Sequence, residues 1–178
     1  MINEIKTLVL EECYHPFWKT HITSVVKHAK QLAKQYQADE EVVEIASWLH
    51  DIAKLRKIKG NHHLKGAEIA ETILKKYNYK KIEQVKDCII THSSDKNYPP
   101  KTIEQKIISV ADSLCFIDEP IVLFHWVLQL KQTPLEEANE KIKTNFKKAF
   151  FKLSYLPEIE KKYKPTYDAM MLILRDSP

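Results

Sequence analysis

Glycine is nearly missing from this chain: Gly60 and Gly66 are the only two in 178 residues. Sheet proteins use glycine at hairpin turns and bulges, and nucleotide-binding α/β folds use it in loops that wrap phosphates. Its scarcity points to helices joined by short polar connections and excludes a glycine-rich phosphate cradle. Cysteine is as sparse. Cys13, Cys88 and Cys115 lie far apart and form no CxxC pair, which disfavours a disulfide framework or a zinc knuckle and suits free thiols in a reducing cytoplasm. Long apolar runs are absent too: the charge-free stretch from Pro120 to Leu130 falls well short of the roughly 20 residues that span a bilayer. The opening MINEIKTLVLEEC carries acids where a secretory leader would be basic and then apolar. A cytoplasmic protein without a membrane partner is therefore expected. No basic run is interleaved with aromatics, so no specific nucleic-acid binding is expected either.

What is present suits one domain over residues 1–178. The length matches one continuous core, and 44% hydrophobic with 29% charged residues is the balance of a globular chain. The net charge of +4 concentrates late: residues 131–164 hold nine lysines against five acids. Such an excess on a helical pair reads as a solvated face.

The apolar period is helical throughout, which makes the fold class all-α. A first helix is expected over 2–13 and a second over about 17–35, with His21, Val25, His28 and Leu32 on one face. Asp39 caps a third helix that should run unbroken to about Ala53, followed by a charged loop, LRKIKGN. Further helices are expected over about 62–77 and 80–92, with SSDKNYPP as the next loop. Thr102 and Gln105 form a capping-box pattern, and Thr133-Pro134-Leu135-Glu136 repeats the idea with proline in the first turn. Pro120 and Pro157 read as further helix openings.

Two aspartates stand out on these apolar helices. His50-Asp51 lies within SWLHDIAK, and Asp112 lies within KIISVADSLCF. An ionised carboxylate in such a setting costs several kcal/mol unless it is paired or metal-bound. No arginine or lysine is expected on the same faces, so a metal is the economical partner. Imidazoles with carboxylates suit Mn, Fe, Co, Ni or Zn better than an all-oxygen shell would. Successive helical residues point about 100° apart, so an adjacent His-Asp pair can flank an ion lying between helices.

The order HITSVVKHAKQLA, ASWLHDIAK, HHLKGAEIAETIL, IITHSSD and KIISVADSL resembles the HD superfamily of metal-dependent phosphohydrolases over about residues 15–118, with residues 119–178 as a helical C-terminal extension. The resemblance implies a helical bundle in which His21, His50, Asp51 and Asp112 hold a divalent transition metal. It further implies that His62 and His92 hold a second ion in binuclear members, with Asp51 between the two. Asp51 and Lys54 are then the candidates for catalysis. Lys54 and, more weakly, Arg56 and Lys57 are candidates for contact with substrate, and Asp95 for binding substrate or for orienting a ligand histidine or a water. His63 is expected as an exposed neighbour of His62. His15, His28 and His125 are expected to be structural, and Trp18, Trp48 and Trp126 to be core or rim aromatics. The implied activity is hydrolysis of a phosphate ester in a small phosphorylated metabolite, a nucleotide above all, by metal-activated water. A diiron HD-type oxygenase and a non-catalytic nucleotide-binding regulator are the alternatives. Phe124, Trp126, Phe150 and Phe151 are candidates for a homodimer face.

Overall fold

Pro16 occupies the first turn of a 20-residue helix, where its missing N–H goes unused, and His15 caps it by accepting the Phe17 amide through Nδ1 at 3.1 Å. The structure, a computed structural model, describes residues 1–174; the last four residues of the expected C-terminal extension lie outside the described residues. In chain order the helices are α1 (Ile2–Glu11), α2 (Pro16–Gln35), α3 (Glu40–Leu49), α4 (Ile52–Leu55), α5 (His62–Lys75), α6 (Ile82–Thr91), α7 (Ile103–Ile117), α8 (Pro120–His125), a π-helical turn (Trp126–Leu130), α9 (Leu135–Leu153) and α10 (Pro157–Ile173). Among the described residues there is no strand, and no helix is long and apolar enough to cross a membrane.

The caps explain where helices begin. Asp39 accepts the Val42 amide ahead of α3, and Thr102 and Gln105 form the expected capping box ahead of α7. The second expected box does not form: Pro134, not Thr133, is the N-cap of α9, and it has no side-chain oxygen to cap with.

α7 occupies the centre, packed against α2, α3, α6, α8 and α9. Its Ile107, Ile108, Val110, Ala111 and Cys115 are fully buried. α5 and α6 pack closely against each other, and Gly66 lets α5 approach its neighbours. A Cβ there would meet Ile89 Cγ2 at 3.3 Å and the His50 carbonyl at 3.5 Å. α9 crosses α7 and seals the core with Ile142, Phe146 and Leu153.

One expectation changes here. The helix expected over 39–53 is broken: α3 stops at Leu49, and Asp51 takes φ −111°, ψ 17° before α4 begins. Three of the four aromatics suggested for a dimer face have distinct surroundings. Trp126 lines a cavity, Phe150 stacks on Tyr167 at 4.1 Å, and Phe151 is exposed to solvent.

Candidate metal centre

Two helices end in the same way. His50 Nδ1 bonds the carbonyl of Ser47 at 2.8 Å, and His92 Nδ1 bonds the carbonyl of Ile89. In a continued helix those carbonyls would receive the amides of Asp51 and Ser93, four residues on. The imidazole takes the acceptor, α3 and α6 stop, and each ring is fixed where its helix ends. A carbonyl accepts a proton, so Nδ1 carries the hydrogen. In the neutral ring Nε2 then presents a lone pair.

The other groups converge on those two. His21, midway along α2, brings Nε2 to 3.3 Å from His50 Nε2. Asp51 lies between two sets of histidines. Its Oδ2 is 3.5 Å from His21 Nε2 and 3.6 Å from His50 Nε2. Its Oδ1 is 3.5 Å from His92 Nε2 and 3.9 Å from His62 Nε2. Asp112 of α7 turns Oδ1 to His21 and His50 at 3.5 and 3.8 Å. The donors thus form two groups that share Asp51: one of His21, His50 and Asp51, the other of Asp51, His62 and His92.

These residues fit a divalent metal. Donors about 2.1 Å from a common ion stand roughly 3.0 to 3.5 Å apart in octahedral or tetrahedral arrangements, close to the separations found. The lone pairs of His50 and His92 face carboxylate oxygens of Asp51, acceptor against acceptor, and Asp51 Oδ1 is buried with no hydrogen bond of its own. Protonating His50 or His62 is not the remedy. Burial pushes His50 down to about 4. Burial, with the Lys54 ammonium adding to it, pushes His62 down to about 3. Both stay neutral, the form that ligates. Burial would raise the Asp51 carboxyl, but the Lys54 ammonium and the facing histidines outweigh it and hold Asp51 well below the usual carboxylate range.

The structure corrects the expectation that no cation reaches these aspartates. Lys54, one turn beyond Asp51, places Nζ 2.8 and 3.0 Å from its two oxygens. Lys152, from α9, places Nζ 3.2 Å from Asp112 Oδ2. What points to a metal is the converging acceptors rather than the lack of lysines.

The remaining candidates separate. His21, Asp51, Lys54, His62, His92 and Asp112 line one cavity of about 540 Å³, while His50 lies fully buried behind it. Arg56 is placed elsewhere: it forms a two-pronged pair with Glu12, the C-cap of α1, at 2.7 and 2.8 Å and is not among the lining residues. Lys57 lines the cavity with its ammonium over the Tyr14 ring. Asp95 also stays outside, receiving the Asn97 amide and approaching His63 Nε2 at 3.6 Å. His63 is buried rather than exposed, enclosed by that loop and by Tyr98. His28 is buried near Asp118, and His125 packs against Phe17, in keeping with structural roles. Residues the sequence reading missed include Cys115, whose Sγ lies 3.4 Å from His21 Nδ1, and the cavity wall built by Asn145, Lys148 and Lys152 of α9.

Comparison with known proteins then gives three results. The family described as HD domain matches residues 18–117, more than half of the chain. The tRNA (cytidine(56)-2'-O)-methyltransferase of Picrophilus torridus is 30% identical over 135 residues, or 69% of this chain, and the protein of the same name from Thermoplasma volcanium is 30% identical over 131 residues, or 68%. The chain spans 38% of the length of each of these curated relatives. The crystal structure of a predicted HD superfamily hydrolase from an uncultured Thermotogales bacterium matches with a TM-score of 0.61 at 20% identity, covering 90% of this chain and 92% of that one. That likeness bears on the fold.

Proposed function

The chain belongs to the HD domain family, and from that premise we propose that it is a metal-dependent phosphohydrolase acting on a small phosphorylated metabolite, with a nucleotide as the best-fitting class. The observation that carries this reading is the buried Asp51 carboxylate, with one oxygen turned to His21 and His50 and the other to His62 and His92. His21, His50, Asp51 and Asp112 would hold one divalent ion, and Asp51, His62 and His92 a second. Such ions, when bound, supply a water of lowered pKa and positive charge for phosphoryl oxygens.

The chain's own residues suit that task. Five lysines against two aspartates line the cavity, which favours a polyanionic ligand. Phe17, Trp18, Phe116 and Trp126 supply an apolar wall where a base or another apolar group can rest. Lys54 borders the cavity with its side chain 38% exposed, close enough to Asp51 to reach a phosphate bound there. A reducing cytoplasm suits the three free thiols. The methyl transfer in the curated relatives' name is not carried over, because the chain spans only 38% of their length.

The test is a screen of nucleotides and generic phosphate esters with Mn, Co, Ni, Fe, Zn and Mg added separately. Phosphate release with one or more transition metals, abolished by a chelator, is expected. No release from any substrate with any metal, together with oxygen uptake by a diiron form, would overturn the reading in favour of oxidation. On the metal-loaded protein, Lys54→Ala should raise KM or lower kcat about tenfold, since a hydrogen bond to a charged group contributes about 1.5 to 3 kcal/mol. Its melting temperature should stay within a few degrees. Unchanged kinetics would return Lys54 to a role limited to neutralising Asp51.

A further inference from the structure

Lys152 belongs to the lysine-rich segment that the sequence presents as a solvated face, yet the fold leaves it only 7% exposed. It lies in α9, outside the region matched by the HD domain family. Asn145, Lys148 and Lys152 recur at intervals of three and four along α9, so one polar face of that helix borders the cavity. Ala149, also lining it, leaves room between them.

The ammonium of Lys152 has three protons to donate. One goes to the backbone carbonyl of His92 at 2.7 Å and one to Asp112 Oδ2 at 3.2 Å. One donor is left for the cavity that the side chain lines. Neutralising Asp112 would need only the carboxylate contact. The second anchor, on the His92 backbone, fixes where the ammonium stands. Lys54 differs: its ammonium bonds Asp51 Oδ2 and pairs with Oδ1, with no second anchor, and its side chain is 38% exposed. Asp112 meanwhile keeps Oδ1 turned towards His21 and His50, so Lys152 occupies the oxygen on the far side from those histidines.

We propose that Lys152 is a substrate-binding residue, its ammonium clamped between Asp112 and the His92 carbonyl so that the remaining N–H meets a phosphoryl oxygen bound beside the metal-ligand cluster. This rests on the phosphohydrolase reading above. It makes the C-terminal extension part of the active site, with α9 bringing the phosphate-binding charge to ligands held by α2, α3, α6 and α7.

The experiment uses the full chain loaded with Co2+, with inorganic phosphate as the probe, followed by calorimetry. Lys152→Met removes donor and charge, Lys152→Gln keeps a donor, and Lys152→Arg keeps both. Lys152→Met should weaken phosphate binding about 10- to 100-fold, the value of a hydrogen bond to a charged group. Its Co2+ stoichiometry and visible spectrum should match the wild type, and KM should rise more than kcat falls. Lys152→Arg should bind phosphate more tightly than Lys152→Gln, a comparison that serves even if the methionine variant does not fold. Wild-type phosphate affinity in the variants overturns the assignment, as does a loss that only follows an altered Co2+ spectrum, which would make Lys152 a support for Asp112. A wild type that takes up no Co2+ defeats the phosphohydrolase reading and this assignment with it. Co2+ uptake with unchanged variant affinities defeats the assignment alone.

Discussion

Asp51→Asn is expected to strip the protein of bound divalent metal and to lower kcat/KM at least about 1000-fold, the scale of losing several kcal/mol of charge stabilisation. The substitution preserves shape and removes charge. Asp51 is buried, and its two oxygens serve different histidine pairs, so no neighbour can replace it in either donor group. The fold should survive: Lys54, left without its partner, is 38% exposed and can turn into water. Metal analysis, helical circular dichroism and turnover, measured on the same preparation, decide the matter. An Asp51→Asn protein that keeps an ion and activity within tenfold of wild type would show that Asp51 is not the shared ligand.

The second large effect concerns ion number. Protein prepared without chelator should hold about two ions per chain, and His62→Ala should bring this to about one, with turnover falling about 100-fold or more as the second charge against the phosphoryl group is lost. His62 is the cleaner of the two sites to alter. It sits in the first turn of α5 with its side chain 29% exposed, so its removal leaves little void. His92→Ala should give the same stoichiometry but would also release the Ile89 carbonyl and disturb the end of α6. A wild type that saturates at one ion, retained in both variants, would leave a mononuclear centre and move both histidines to substrate binding.

The helical class was legible in the sequence because period and caps agreed: the Thr102–Gln105 box forms as read, and the proline openings at Pro120 and Pro157 hold. Asp51 and Asp112 stood out as carboxylates on apolar helices, and the resemblance to HD proteins added His21, His50, His62 and His92 to the set. Three things were not legible. The break after Leu49 arises from a side chain capturing the Ser47 carbonyl, a bond that apolar periodicity does not register. The burial of His63 depends on a loop carrying Asp95 and Tyr98 that folds back over it, with no local pattern to announce it. Lys152 meets Asp112 from 40 positions away because α9 crosses α7. In sequence it differs from its exposed neighbours only by flanking the buried Ala149 and Leu153.

The histidines that end α3 and α6 have a consequence for how an ion would be received. The bond that stops each helix also sets which ring nitrogen bears the proton, so the tautomer is chosen when the backbone folds. An arriving cation meets rings already turned towards it, without waiting for a rotamer search at those two positions. The entropy of ordering them has been spent in folding, which raises affinity without adding a contact. Helix length and ligand readiness are one property in this chain, and a substitution that lengthened either helix by a turn would unsettle the site from a distance.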